Sequence, residues 1–499
     1  MNSSSVNETL VSVEQNLRAS SASLAKAITQ ATGLVAYDLQ PGALKLYPVL
    51  TPLRNAIPRV AGNGGTATNW KAITGINTAA LAIGLSEGNR AGVVTTATQS
   101  YTAAYKGLGL EDYVTFEADY AATGFDDVRN LAVEGLLRAL MIGEERVLLG
   151  GNSSLALGQT PTPSPVSDVP TGGALSPNTQ YSVICAAQTL DGYLNSTLAS
   201  GLSAAVSRTN ADGSVDTYGG GVARVSSNAT VTTANDGNTT HAVGASVAPV
   251  KGAFAYAWYL GAVGAERLAQ ITTINSVQLA ALNPSGQLAS SLPAADNSQN
   301  DLIFDGLLTQ ICDSGSNAYF AAQTTGTPGT GTPLTSDDAG GIVEIDAALK
   351  SFWDNYRLSP TKIWVNSQEQ QNITRKILNS GASSSYRVTL TAQAENGVAI
   401  GGGALVTSYQ NMFAYGGAQT IPIQLHPFLP PGTVLFTTDF LPYPLSNVAN
   451  VLQVKTRRDY YQLEWPLNSR RYEYGVYVDE VLQNYFPPAF GLITNIANG

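Results

Sequence analysis

The stretch that decides the fold runs from Tyr47 to Gly151. It opens on a Pro-punctuated extended segment, Tyr47-Pro48-Val49-Leu50-Thr51-Pro52-Leu53-Arg54-Asn55-Ala56-Ile57-Pro58-Arg59. A Gly/Thr/Ala-rich arm follows from Val60 to Gln99, broken by Gly62, Gly64, Gly65, Gly75, Gly84, Gly88 and Gly92 and carrying a Trp70-Lys71 pair. A structureless connector of that length is uncommon in a compact domain. The Thr and Val between the glycines suit extended backbone, so the arm reads as a two-stranded projecting ribbon. An isolated ribbon is barely stable in water, which predicts that it lies on a neighbouring subunit. Beyond an extended run, Tyr101 to Thr115, the pattern predicts a helix over 126–149. Asp126 and Asp127 supply its cap and complement the helix dipole. Val128, Leu131, Leu136, Ala139, Leu140 and Val147 recur at helical steps, and Gly150-Gly151 ends it.

Working outward, residues 1–46 are polar and Ser/Ala-rich, with a helical stripe at Leu10, Val13, Leu17, Leu24 and Ile28. This reads as a marginal helix in an N-terminal arm. Past the long helix the texture changes at Thr160-Pro161-Thr162-Pro163-Ser164-Pro165, a linker. Alternating runs follow at Tyr181/Val183/Cys185/Ala187, Gly221 to Thr232 and Phe254/Tyr256/Trp258/Leu260, separated by Asn210-Ala211-Asp212-Gly213 and Ala234-Asn235-Asp236-Gly237. Short alternating strands with such turns predict an antiparallel β-sandwich over 165–290. After Pro293, Asp305-Gly306-Leu307-Leu308 opens a new segment. Ser336 or Asp337 is expected to cap a helix striped by Ile342, Ile345, Leu349, Phe352, Trp353 and Tyr356. Thr361 to Asn366 reads as a buried strand, and Ser367-Gln368-Glu369-Gln370 as a capping box for a helix over 368–378. Tyr472-Glu473-Tyr474-Gly475-Val476-Tyr477-Val478-Asp479 alternates as a strand.

Composition narrows the function classes. The 499 residues suffice for two or three domains. Charged residues are only 12% of the chain while hydrophobics are 44%. So few charges give a soluble monomer a weakly protected surface and favour a chain that buries surface against copies of itself. A net charge of −10 argues against a protein whose task is to grip nucleic acid. It is compatible with a container, whose mildly acidic inner wall would avoid sticking to the contents. The N-terminus has no basic segment and no apolar core of a signal peptide, and no apolar run approaches the ~18 residues a membrane span needs.

Reactive chemistry finds little footing. Cys185 and Cys312, the two cysteines, each sit in an apolar run and read as buried thiols. The two histidines, His241 and His426, lie near no nucleophile motif. The Gly-rich runs Gly326-Thr327-Pro328-Gly329-Thr330-Gly331 and Gly401-Gly402-Gly403 lack the Lys-Ser/Thr of a phosphate loop and read as turns. Glu144-Glu145 are adjacent on a helix, so they point in different directions and cannot share a substrate. Asp337-Asp338, Glu344 and Asp346 have no opposing acid at a spacing that glycoside hydrolysis needs. The Arg457-Arg458-Asp459-Tyr460-Tyr461 to Arg470-Arg471-Tyr472 region interleaves Arg with Tyr, as single-strand binders do. Asp459, Glu464 and Glu473 lie within it, so ion pairs between strands or subunits are expected instead. No enzyme, metal or cofactor is predicted.

Four segments together carry a resemblance. They are Thr51-Pro52-Leu53-Arg54-Asn55-Ala56-Ile57-Pro58-Arg59, Thr68-Asn69-Trp70-Lys71-Ala72-Ile73-Thr74, Glu87-Gly88-Asn89-Arg90-Ala91, and Gly143-Glu144-Glu145 with its Leu148-Leu149-Gly150 stop. In this order the chain resembles the major capsid protein of tailed bacteriophages, the Hong Kong 97-type shell fold, over about three quarters of its length. The resemblance implies an α+β fold with an N-terminal arm (1–46) and a peripheral domain (47–59 and 101–158) built on a spine helix (126–149). It further implies an extended loop (60–100), an axial domain (295–455) and a return to the peripheral domain (456–499), with an immunoglobulin-like module inserted at 165–290. Function would be structural: hexamers and pentamers forming an icosahedral virion shell around double-stranded DNA, assembled in the host cytoplasm. Portal, scaffolding and decoration proteins are the implied partners. No ~100-residue charged leader precedes residue 1, which fits a mature chain or a separate scaffold. Arg54, Arg59, Trp70, Lys71, Arg90, Glu144, Glu145 and Arg146 are the implied inter-subunit contacts. Some relatives cross-link a ribbon lysine to an asparagine of the next subunit. Lys71 lies in the ribbon, but no partner is identifiable and no cross-link is expected. Rival readings are a secreted or surface β-rich adhesin, which leaves the helical segments unexplained, and an encapsulin-type compartment.

Overall fold

The computed structural model describes residues 50–62, 64–76, 86–90, 96–122, 127–167, 172–210, 212–237, 240–379, 389–392, 398–401, 405–415, 417–443, 446–467 and 469–498. The expected N-terminal arm helix, the Asp126 cap and part of the ribbon lie outside these residues. The fold is α+β.

Two sheets organise the body. The first has four strands in the order Arg59–Ala61, Leu452–Glu464, Arg471–Asn484, Lys106–Thr115. Its edge strand Arg59–Ala61 runs parallel to its neighbour, with Arg59 opposite Val454; the others are antiparallel, with Tyr477 opposite Gly109. The long helix Val128–Gly150 covers this sheet. Leu136 and Leu140 pack with Val114 of the Lys106–Thr115 edge strand and with Tyr474, Val476 and Val478, alternate residues of a strand whose β-branched and aromatic side chains favour a pleated, half-buried surface. Asp127 caps the helix, its carboxylate accepting from the Asn130 N–H at 3.1 Å. The buried stripe is Ala132, Leu136, Leu140, Leu148 and Leu149: Leu136 and Leu140 are buried as expected, whereas Leu131 is only half-buried and Ala139 is exposed, their places taken by Ala132 and Leu148.

The second sheet has six strands in the order Tyr319–Ala322, Gly491–Thr494, Val434–Thr437, Lys362–Val365, Gln419–Leu425, Ser408–Asn411. Its core of Ile345, Leu349, Phe352, Phe436 and Phe490 draws on the helix Val343–Tyr356. The C-terminal residues divide between the sheets: Arg471–Asn484 joins the first and Gly491–Thr494 the second. Two expected caps are corrected. Ser336 and Asp337 do not cap Val343–Tyr356, because Asp337 spends its carboxylate on the Ala339 and Gly341 N–H groups (2.8 and 2.6 Å) in a loop of its own. The helix Ser367–Asn379 takes Asn366, not Ser367, as the residue whose side chain receives an N–H, from Gln368 at 3.0 Å.

Between the helix and the second sheet, residues 164–279 build a separate hairpin, Ala205–Thr209 with Val215–Gly219, and two larger antiparallel sheets. One runs Ser276–Leu279, Val243–Ser246, Ser164–Ser167; the other runs Arg267–Thr272, Ala255–Gly261, Gln180–Gln188, Ala229–Thr232. They share a core of Val183, Cys185, Val243, Ala245, Trp258, Leu260 and Val277. Cys185 and Cys312 are both buried and free. The chain leaves and re-enters the body at one place: Asn152 donates to Ser298 O at 2.8 Å, and the Asn300 N–H donates to Asn152 O at 2.7 Å.

The ribbon pairs Ala67–Ile76 with Thr96–Ala104 antiparallel, Trp70 opposite Tyr101, with a register shift between Ile73 and Gly75. From Thr96 to Ser100 every residue is exposed.

Candidate functional site

The sequence places Arg54 and Arg59 on the Pro-rich segment at the foot of the ribbon, and Glu144-Glu145 near the end of the long helix. The fold brings all four together. Glu144 is fully buried. Its carboxylate takes Arg54 Nε at 2.8 Å, Arg59 Nη1 and the Tyr460 hydroxyl. Arg59 Nη2 reaches Asp459 at 2.8 Å and the buried Glu480 at 2.9 Å. Both guanidiniums lie over the Tyr460 ring, 5.2 and 4.9 Å from its centroid. Glu145 turns to a different set, as adjacent helix positions must. It accepts the backbone N–H groups of Leu53 (2.8 Å) and Arg54 (2.7 Å), which open the short helix Pro52–Ala56. It also meets His426 Nε2 at 2.8 Å.

Burial, with the nearby Glu144 charge adding to it, pushes the Glu480 carboxyl up to about 8 against the pull of Arg59. Glu480 Oε1 and Arg59 Nε are buried without a partner. The cluster joins the segment 52–61, the long helix and two strands of the first sheet through one set of charges. His426 extends it to the turn after the Gln419–Leu425 strand of the second sheet.

The other expected residues lie apart. Arg146 binds Asp191 at 3.1 Å and Asn195 at 2.8 Å, tying the long helix to the helix Leu190–Asn195. Trp70 sits at the ribbon's root, stacked on Tyr101 (5.6 Å) and edge-on to Tyr485 (5.8 Å). Lys71 and Arg90 are exposed. Sequence reasoning missed Tyr460, Glu480 and His426 as partners of the glutamates. Only the Arg/Tyr/acid interleaving at 457–461 hinted at the first. Among the described residues no group of three or more His, Cys, Asp or Glu is arranged to hold a metal ion. No helix among them is long and apolar enough to cross a membrane.

No family model and no curated protein matches the chain. Solved structures do. The cyanophage A-1(L) capsid is similar over 94% of this chain and 98% of its own, at 10% identity and a TM-score of 0.41. The capsid of a native GTA particle is similar over 95% of this chain and 100% of its own, at 9% identity and a TM-score of 0.40. An encapsulin complex of Synechococcus elongatus covers 39% of this chain and 57% of its own, at 14% identity and a TM-score of 0.20.

Proposed function

We propose that the chain is a shell-forming structural protein, a major capsid protein of the Hong Kong 97 type. It assembles as hexamers and pentamers into an icosahedral head around double-stranded DNA. The observation that carries this reading is the ribbon. Two strands of ten and nine residues extend with solvent on both faces over Thr96–Ser100 and with Ile73 70% exposed. A ribbon of that kind has no independent stability, so it calls for a surface of another chain to lie on. A second copy supplies that surface at no cost in new sequence. The low charge content points the same way.

On this reading, 47–59 with 101–158 form the peripheral domain and Val128–Gly150 is its spine helix. Residues 60–100 form the extended loop, 295–455 the axial domain, and the module at 165–290 an immunoglobulin-like insertion. Arg54, Arg59, Glu144 and Glu145 hold the loop's foot in place within one subunit, while Lys71 and Arg90 stand free to meet a neighbour. The test is negative-stain electron microscopy of the full chain expressed alone and with its neighbouring genes. Closed polyhedral shells or ring-shaped capsomers support the reading. Monodisperse monomers under every condition overturn it and put a surface-binding protein first.

A further inference from the structure

The buried cluster at the ribbon's foot is unbalanced. Three carboxylates, Glu144, Glu480 and Asp459, surround two guanidiniums, Arg54 and Arg59. Asp459 is 59% exposed, whereas Glu144 and Glu480 are fully buried. Every packed element contributes. The Pro-rich segment brings Arg54 and Arg59, the long helix brings Glu144, and the Leu452–Glu464 strand brings Asp459 and Tyr460. The Arg471–Asn484 strand brings Glu480. On the Lys106–Thr115 strand, Lys106 is opposite Glu480 in register, but its ammonium is engaged by the Asp301 carbonyl. Glu145 is held separately by two backbone N–H groups and His426. Among the described residues no third cation pairs with these carboxylates, and Glu480 Oε1 is buried with no partner. A buried charge without a counter-charge is expensive, and the usual remedy is to hold a proton.

We propose that Glu480 holds a proton beside Arg59, and that this proton latches the segment Arg59–Ala61, and with it the ribbon's root, onto the first sheet. The segment is a three-residue edge strand. Besides the cluster it is held by backbone bonds such as Gly62 N–H to Thr456 O at 2.8 Å and Val454 N–H to Pro58 O at 2.9 Å. Five residues further on the ribbon begins at Ala67. Losing the proton leaves three carboxylates on two guanidiniums, with Glu144, Glu480 and Asp459 all drawing on Arg59, and the weakest element attached to them, the edge strand, is the one that lets go. This device does not depend on the shell reading.

The experiment is hydrogen exchange of the full chain from pH 5 to 9, corrected for the intrinsic rate and read on the peptide spanning 59–62. The parent is expected to lose protection there while the Val434–Thr437 strand keeps it. Glu480→Gln, which carries the latch permanently, is expected to retain protection across the range. Asp459→Asn removes an exposed acid from the same guanidinium and leaves the cluster neutral with Glu480 ionised. It is expected to retain protection as well, and it keeps the test decisive if Glu480→Gln does not fold. A parent with unchanged protection at 59–62, or an Asp459→Asn variant that loses it as the parent does, overturns the proposal.

Discussion

His426 Nε2 lies 2.8 Å from Glu145 Oε1, with both side chains almost fully buried. That contact ties the turn after a second-sheet strand to the helix that covers the first sheet. The same carboxylate holds the Leu53 and Arg54 N–H groups, so one side chain fastens three elements. The imidazole is fixed in turn by the Trp364 and Phe428 rings at 5.9 and 6.2 Å.

Glu145→Ala strands two backbone donors and the imidazole in a site closed to water. Each orphaned buried group costs ~1–3 kcal/mol, so the loss is about 3 kcal/mol or more. The expected result is a lower thermal midpoint, with Glu145→Gln, which keeps one acceptor, falling between the two. A midpoint for Glu145→Ala equal to the parent's contradicts the fastening role.

The elements the sequence revealed were those written in local pattern. The long helix declares itself by its 3.6-residue spacing and the Asp127 cap, and the ribbon by Thr and Val between glycines. The cluster was half legible. Glu144 and the arginines carry the resemblance, but Tyr460 and Glu480 lie more than 300 residues from Glu144 and share no spacing with it. Their meeting is set by the register of strand 452–464 against 471–484, which includes two shifts near Thr456 and Arg458 that no period predicts. The Asp337 cap failed for a related reason. Asp337, followed by Asp338-Ala339-Gly340-Gly341, satisfies its own loop before a helix can use it.

Gly151 ends the long helix, though not through a left-handed conformation: its φ is −55°. It is there because the chain passes too close for a side chain. A Cβ would stand 2.4 Å from the Phe304 carbonyl oxygen and 2.8 Å from that of Val147. Both are backbone atoms and cannot swing aside. Gly151→Ala is therefore expected to cost ~1–3 kcal/mol, as overpacking does. Gly143→Ala, in the same helix with nothing within 4 Å of the added carbon, is expected to be neutral or stabilising. Equal thermal midpoints for the two variants contradict the close-approach account.

Glu369 is buried, with Oε1 taking the Gly432 N–H at 3.1 Å and Oε2 unpartnered. Burial pushes its carboxyl up to about 7 against these hydrogen bonds. The folded chain thus binds this proton more tightly than the unfolded one. Its stabilisation is complete below the ordinary carboxyl range near 4.5 and is lost as pH rises through about 7. The loss is on the order of 3 kcal/mol across that window. Glu369→Gln is expected to flatten the fall in thermal midpoint between pH 5 and 7 and to leave the alkaline limb, which belongs to Glu480, in place. An unchanged slope from pH 5 to 7 in the variant contradicts the assignment.

Ile73 separates folding from assembly. It stands opposite Thr98 in the ribbon and is 70% exposed, so in a single chain it packs on little. A surface substitution away from any core contact changes stability by no more than ~0.5 kcal/mol, and Ile73→Asp is expected to melt with the parent. If the ribbon's apolar face is covered by a second copy, the same substitution buries a carboxylate at every repeat of the contact, a cost multiplied over the whole particle. The expected outcome is a soluble, normally folded chain that no longer sediments as large particles, with Ile73→Val assembling as the parent does. Particles of Ile73→Asp formed in normal yield remove the ribbon from the assembly contact.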